Sequence, residues 1–290
     1  MNALPSSLFS PLVQGYWRMA HWNMTPQQRL TFIKQHVELG VTSVDHAPVY
    51  QSEALFGEAL ALEPSLRAQL QVISKCGIIP GQGEQVAHYD SGQAEIITSV
   101  ERSLTNLQVE KLDVLLIHRP DLLMQVDEMA EAFAQLKAAG KVEHFGVSNF
   151  SVAEFNLLQS RLDVPLVTNQ IEINPINMQA TEDGTLAQMQ QLKVRPMAWS
   201  CLAGGQLFNG ESAQAKRVQH TLQQVADEIG ASCIDEVAYA WVMKLPANPV
   251  PIIGSGKIAR VQTALNALEL TMTREQWYRI WAASKGHGVA

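Results

Sequence analysis

The sequence predicts an α/β protein, a (β/α)8 TIM barrel with extra helices late in the chain, and three observations carry that prediction. Eight short apolar runs of strand length alternate with longer amphipathic stretches along the whole chain. Strands that alternate with helices imply parallel neighbours, because a tight turn cannot join parallel strands and a crossover helix can. The length of 290 residues fits a barrel, which needs roughly 250, better than an open doubly wound sheet.

In chain order the candidate strands are PLVQG (11–15), VTSVDHA (41–47), LQVISKCG (70–77), KLDVLLIHRP (111–120), EHFGVSNF (143–150), LVTNQIEI (166–173), RPMAWSC (195–201) and NPVPIIGS (248–255). The first helical stretch, TPQQRLTFIKQHVELG (25–40), has Thr25 as N-cap, Pro26 at the first helical position and Gly40 as its stop. QAEIITSVERSLTNL (93–107) places Ile96, Ile97, Val100, Leu104 and Leu107 on one stripe. VDEMAEAFAQLKAAGK (126–141) stops at Gly140 in the manner of the first helix. SVAEFNLLQS (151–160) follows the fifth strand and EDGTLAQMQQL (182–192) the sixth. Residues 214–245 read as two helices after the seventh strand, one more than the repeat requires. KIARVQTALNALEL and a last helix around TREQWYRIWAAS complete the chain. No linker rich in Pro, Gly or Ser interrupts it, so residues 1–290 are expected to form one domain.

Hydrophobic residues make up 47% and charged ones 17%, the balance of a chain that buries a large core. The net charge of −7 comes from interspersed acids and bases and serves solubility. With no basic stripe, RNP-like motif or recognition helix, nucleic acid is not an expected partner. The longest apolar stretches fall far short of the roughly 20 residues of a membrane helix, so no membrane partner is expected either. MNALPSSLFSPLVQG lacks a positive region followed by an apolar one, which argues against a secretory signal. Cys76, Cys201 and Cys233 are widely spaced and form no CxxC, so the expectation is a reduced, cytoplasmic protein. A monomer is the simplest expectation for its assembly.

In such a barrel the side chains at the C-terminal ends of the strands converge on one face. Strand two ends in Asp45 with Tyr50 just beyond it, strand three in Lys75, strand four in His118. Each alone has a bland explanation: a cap, a solvated amine, a structural imidazole. At corresponding ends of consecutive strands they point to chemistry. Reducing a carbonyl puts charge on its oxygen, which then needs a proton. A free tyrosine, with a pKa of about 10, is a weak acid at neutral pH unless its phenolate is stabilised. An ammonium does that by Coulomb attraction, and a carboxylate keeps the ammonium charged and placed. Tyr50 is therefore the candidate proton donor, Lys75 the group that lowers its pKa, Asp45 the group that positions Lys75, and His118 the one that orients the carbonyl.

The hydride must come from a cofactor, and the remaining strand ends offer groups for one. Ser148 and Asn149 end strand five and Gln170 lies on strand six, residue types suited to a carboxamide. Trp199 on strand seven is either a core aromatic or a ring that stacks on a nicotinamide. Ser200 and Leu202 follow it toward the Gly204–Gly205 turn. In IIGSGKIARV, the backbone of Gly254–Lys257 with Ser255, Lys257 and Arg260 makes an anion site at a helix N-terminus. The planar fork of Arg260 suits a ribose 2′-phosphate, which favours NADPH over NADH. Gly254, Gly256 and Ala259 also spell G-x-G-x-x-A, but a dinucleotide-binding βαβ unit needs a following strand with an acid about 20 residues on. Only helical sequence follows here. Ile258 stands where a P-loop needs Ser or Thr. The histidines form no HxH or HExxH pair, so no metal site is expected.

Taken as a set, VDHAPVYQSEALFGEAL, ISKCG, LLIHRPD, FGVSNF, TNQIEINP, AWSCLAGG and PIIGSGKIARV resemble the successive signatures of the aldo-keto reductases, in family order from about Leu12 to Leu270. QGYWRMAHWN, LLIHRPD and RPMAWSCL further resemble the bacterial YdhF-type oxidoreductase branch. The resemblance implies a (β/α)8 barrel and NADPH-dependent carbonyl reduction. By motif position it implies Asp45, Tyr50, Lys75 and His118 as catalytic tetrad and Ser148, Asn149 and Gln170 on the carboxamide. Trp199 would stack where many members have tyrosine, and Ser255 and Arg260 would meet the 2′-phosphate. Gly254 stands where many members have lysine, so Lys257 would share the phosphate. The chain ends soon after its last helix, without the long loop that shapes many eukaryotic pockets. The substrate pocket is then expected from Tyr16, Trp17, Met19 and Trp22, from the loop 78–92 and from Arg119–Leu123, whose walls favour bulky or aromatic carbonyls over sugars. Two other readings stay open: an NADPH-binding regulatory or redox-sensing subunit with slow turnover, and a Schiff-base enzyme that uses Lys75 as nucleophile.

Overall fold

The computed structural model describes residues 8–290; the first seven residues, part of the stretch read for a leader, lie outside them. Strand-length apolar runs become strands where both faces are covered, which is why they read as near-continuous hydrophobic sequence. Eight of them close a parallel barrel: β1 (Val13–Gly15), β2 (Ser43–Asp45), β3 (Gln71–Cys76), then β6 (Leu112–Ile117), β7 (Val142–Ser148), β8 (Leu166–Glu172), β9 (Met197–Trp199) and β10 (Val250–Ile253), which returns to β1. All eight sequence-predicted strands are present. Between β3 and β6 the loop 78–92 adds a two-stranded antiparallel sheet of β4 (Ile78–Ile79) and β5 (His88–Tyr89) that the sequence did not announce.

The described chain divides into two compact units, residues up to 170 with 254–258, and 171–253 with 259–290. The first carries α1 (Pro26–Glu38), α2 (Glu53–Leu60), α3 (Gln93–Leu107), α4 (Val126–Ala138) and α5 (Val152–Gln159). α1 starts as expected: Thr25 and Gln28 satisfy each other's backbone N–H groups in a capping box, and Pro26 follows at the first position. It ends at Gly40, whose φ of +81° is left-handed. On α3 the buried stripe is Ile96, Ser99, Val100, Ser103, Leu104 and Leu107, so two serines take a face on which Ile97 was expected. Ser99 and Ser103 are small enough to let the helix sit close, and Ile97 lies at the margin.

The second unit carries α6 (Gln179–Glu182), α7 (Thr185–Leu192), α8 (Gln206–Asn209), α9 (Ala213–Ile229), α10 (Ile234–Met243), α11 (Ile258–Asn266) and α12 (Arg274–Lys285), the first residue of α11 belonging to the first unit. α10 and α12 are joined by Trp241 and Trp277, whose rings stack 4.8 Å apart at 2° and whose indole N–H groups each donate to the other's backbone carbonyl. No helix among the described residues is long and apolar enough to cross a membrane.

Candidate active site

Parallel pairing sets the first catalytic candidate in place: Asp45, the last residue of β2, lies in register with Gly15 of β1 and Ile73 of β3. The chain then leaves the barrel in an extended step and makes one 3-10 turn, Pro48–Tyr50, closed by Gln51 in the left-handed region at φ 56°. Lys75, near the end of β3, is fully buried and donates to both Asp45 oxygens at 2.7 Å and to the His46 carbonyl at 2.9 Å. Its Nζ lies 4.8 Å from the centre of the Tyr50 ring. His118 follows β6, its N–H bonded to Cys76 O at 2.9 Å, and its Nε2 lies 3.3 Å from the Tyr50 hydroxyl. An acid, an amine, a phenol and an imidazole from three strand ends thus form one contiguous cluster.

The charges follow from burial. Burial alone would lower the Lys75 pKa, but Asp45 and Tyr50 outweigh it and the net direction is upward, so the amine stays an ammonium. A charged amine holding both carboxylate oxygens is a poor nucleophile, which removes the support for the Schiff-base reading. Burial is also the largest influence on Tyr50 and raises its pKa; Lys75 pulls it down, as does Arg119 more weakly, but the net shift is upward. Lys75 thus acts on the phenol in the expected downward direction, and burial, which the sequence does not report, exceeds it. The phenol is protonated at neutral pH, the state a proton donor requires. His118 is pushed down to about 2 by burial first, then by Lys75 and Arg119, and is neutral.

Three supports of this cluster were not legible in the sequence. Gln170, 125 residues away, donates its side-chain amide to Asp45 Oδ1 at 2.8 Å, so it orients the acid whatever else it binds. The His46 ring is fully buried, stacked on Tyr16 at 4.8 Å and 3°, which fixes the backbone whose carbonyl receives Lys75. Tyr16 in turn lies 2.7 Å from His36 Nε2, and His36 Nδ1 lies 2.6 Å from the Val41 carbonyl. That carbonyl needs a donor, so Nδ1 carries the proton and the Tyr16 hydroxyl donates to Nε2. Asp121 ties two loops together by accepting from Ser91 N, Ser91 Oγ and Leu123 N. The adjacency of His46 to Asp45 was the one available signal among these.

The groups expected to hold a cofactor lie at strand ends. Ser148 is in register with Gln170, and Ser148 Oγ and Asn149 N both donate to the Gln170 carbonyl, at 2.9 and 3.0 Å. Asn149 sits at φ 60° and donates its side-chain amide to Ser148 Oγ at 2.8 Å. Asparagine tolerates that left-handed conformation better than most residues. In the second unit Trp199 ends β9 half-buried, not as a core aromatic; Ser200 follows at φ 57° and Leu202 is also half-buried. At the turn after β10, Gln14 Nε2 donates to the Ser255 carbonyl at 3.1 Å, and Lys257 N donates to Ser255 Oγ at 3.2 Å. Gly254 opens onto free space, since an added Cβ would meet nothing within 4 Å. Gly256 is a different case: a Cβ there would lie 2.5 Å from the Trp22 ring, so this glycine serves packing and not a dinucleotide fingerprint. Lys257 and Arg260 are exposed and make no ion pair with a described residue. A polar turn with open backbone and two exposed cations fits a polyanionic cofactor.

The pocket candidates separate. Trp17 is 60% exposed, with its ring 6.5 Å from that of Tyr50. Arg119 is half-buried beside His118. Met19 is 2% exposed. Trp22 packs on Tyr16 and Phe32 at 5.7 and 5.5 Å. Trp17 is thus the member of its loop that reaches Tyr50.

With this geometry in view, comparison with known proteins is informative. The model of the aldo/keto reductase family matches residues 11–285. Oxidoreductase YdhF of Escherichia coli is 54% identical over 97% of this chain and 95% of its own. A 6-dehydroglucose reductase of Agrobacterium fabrum is 37% identical over 97% of this chain and 96% of its own. Among solved structures, an aldo/keto reductase from Klebsiella pneumoniae in complex with NADP and acetate shares the fold with a TM-score of 0.77 at 24% identity, over 94% of this chain and 90% of its own.

Proposed function

The chain belongs to the aldo/keto reductase family, and from that premise we propose that this oxidoreductase reduces aldehydes or ketones to alcohols with NADPH, Tyr50 being the general acid. The observation that carries the reading is the buried Asp45–Lys75 pair set against a protonated Tyr50 and a neutral His118. When bound, the nicotinamide supplies the hydride. Tyr50 gives its proton to the carbonyl oxygen as charge develops there, and Lys75 stabilises the phenolate left behind. His118 orients the carbonyl oxygen by hydrogen bonding. Asp45 and Gln170 hold Lys75 in place.

Ser148, Asn149 and Gln170 would hold the carboxamide and Trp199 would stack on the ring, with Ser200 and Leu202 beside it. Gly254, Ser255, Gly256, Lys257 and Arg260 would take the phosphates. The residue types and the open turn support this assignment. One aldo-keto-reductase-like domain over residues 1–290, acting as a cytoplasmic monomer on small carbonyl compounds, completes the proposal. The purified protein is to be mixed with NADPH and a panel of aromatic aldehydes, diketones and quinones, following loss of nicotinamide absorbance. Turnover is expected, and in Tyr50→Phe it falls by about 10²–10⁴ while NADPH binding persists. Tight NADPH binding without turnover on any carbonyl would favour the sensing subunit instead.

A further inference from the structure

Asn169 and Gln170 are consecutive residues of β8 and send their side chains to opposite faces, as a strand requires. Gln170 reaches Asp45. Asn169 is fully buried and reaches the connection after β7, where its amide meets Phe150 twice. Nδ2 donates to the Phe150 carbonyl at 2.8 Å, and Oδ1 accepts from the Phe150 N–H at 3.3 Å. The peptide groups leave one way round for this amide, because an N–H needs the oxygen and a carbonyl needs the nitrogen. Asn169 thus supplies the pairing of a neighbouring strand at the point where β7 itself has ended. The residue between the end of β7 and Phe150 is Asn149, in the left-handed region at φ 60°. Such a conformation persists where the surroundings impose it. Here it is imposed from both sides: Asn149 N and Ser148 Oγ donate to the Gln170 carbonyl at 3.0 and 2.9 Å, and Asn169 grips the next residue. One residue further, Ser151 caps α5.

We propose that Asn169 is the positioning residue that sets the Ser148–Asn149 step for the nicotinamide carboxamide before the cofactor arrives. The proposal rests on the assignment of Ser148, Asn149 and Gln170 to that carboxamide above, and it names what holds them ready. With Phe150 released, Asn149 returns to the common negative φ region, and its side chain swings away from the strand end. A turn already in its binding form spares the cost of ordering it on association. It also fixes the angle at which the ring faces the carbonyl, on which hydride transfer depends.

The test compares the dissociation constants of NADP+ and of its 3-acetylpyridine analogue, which keeps the ring, sugars and phosphates and carries a methyl group in place of the carboxamide NH2. The unmodified protein is expected to bind NADP+ about tenfold tighter, the worth of one good hydrogen bond. Asn169→Leu keeps the volume and removes both bonds to Phe150; in it the ratio falls toward one. A variant that weakens both ligands by one common factor, or neither, overturns the proposal and leaves Asn169 a purely structural residue at the start of α5. Hydrogen exchange in the unmodified protein decides the matter independently, whether or not the variant folds. The Asn149 and Phe150 amides are expected to exchange slowly before any nucleotide is added. Free exchange that slows once NADP+ binds would show a turn made by the cofactor, and also overturns the proposal. Equal affinity of the unmodified protein for NADP+ and the analogue removes the carboxamide assignment and this inference with it, while turnover of the carbonyl panel would still stand for the reductase.

Discussion

The strand ends that hold Lys75 and the turn at Gly254–Lys257 both carry positive charge, and they treat it in opposite ways. Lys75 is fully buried, bonded to three oxygens between 2.7 and 2.9 Å, and braced by Gln170 behind Asp45. Lys257 is exposed, and the backbone at Gly254 faces open space. A group that takes part in bond making gains from being fixed before the substrate arrives, because little then reorganises at the moment of reaction. A group that captures a diffusing polyanion gains from reach and from backbone donors left open. The first arrangement concentrates its cost in one buried pair; the second spreads weak contacts over a turn.

The sharpest way to break this comparison is Lys75→Met. Removing one partner of a buried pair leaves Asp45 without its counter-ion, which costs about 3–5 kcal/mol. Loss of carbonyl reduction and a markedly lower Tm are expected; a variant that melts like the parent would show that the pair is not pre-stressed by burial. Acidification tests the same region without mutation. His36 is held neutral by burial, its pKa lowered to about 4 from 6.5. The unfolded chain binds a proton in that window and the folded one does not, so stability is full above about pH 6.5 and is lost as pH falls toward 4, by roughly 3 kcal/mol from this residue. His46 and His118, also lowered, act with the same sign. Urea unfolding at pH 7.5 and 4.5 reads this, and equal stabilities would contradict it.

Smaller effects belong to the open turn. Gly256→Ala pushes a methyl into the Trp22 ring and is expected to cost about 1–3 kcal/mol, seen as a lower Tm; its effect on NADPH affinity comes through displacement of the turn. Arg260→Ala, the mildest, is expected to weaken NADPH about tenfold, to leave NADH binding nearly unchanged and to reduce the salt dependence of NADPH binding. Equal loss for both nucleotides would place the 2′-phosphate elsewhere.

Local pattern sufficed for the eight barrel strands and for the start and stop of α1, because capping residues, Pro26 and Gly40 act within a few residues of where they stand. It sufficed also for Asp45, Lys75 and His118, since a polar residue that ends an apolar run has its position fixed by parallel register. It did not reveal β4 and β5, whose two residues each are too short for any period, nor the burial of Ser99 and Ser103, which small polar side chains do not advertise. The bonds from Gln170 to Asp45 and from Gln14 to Ser255 link residues 125 and 241 positions apart, and nothing in either neighbourhood indicates the other. The net direction of the Tyr50 pKa escaped for a different reason: the sequence names the charges near the phenol and is silent about how little water reaches it.

The contact of Gly256 with the Trp22 ring also bears on how this sequence changes over generations. The two positions are coupled by size. A side chain appearing at 256 while Trp22 remains is selected against, and a smaller residue at 22 opens a hole that the glycine cannot fill. A change at 256 therefore waits on shrinkage at 22, the order of lower cost. A pair of this kind is expected to leave a trace among relatives as correlated substitution between the first loop and the last turn of the barrel.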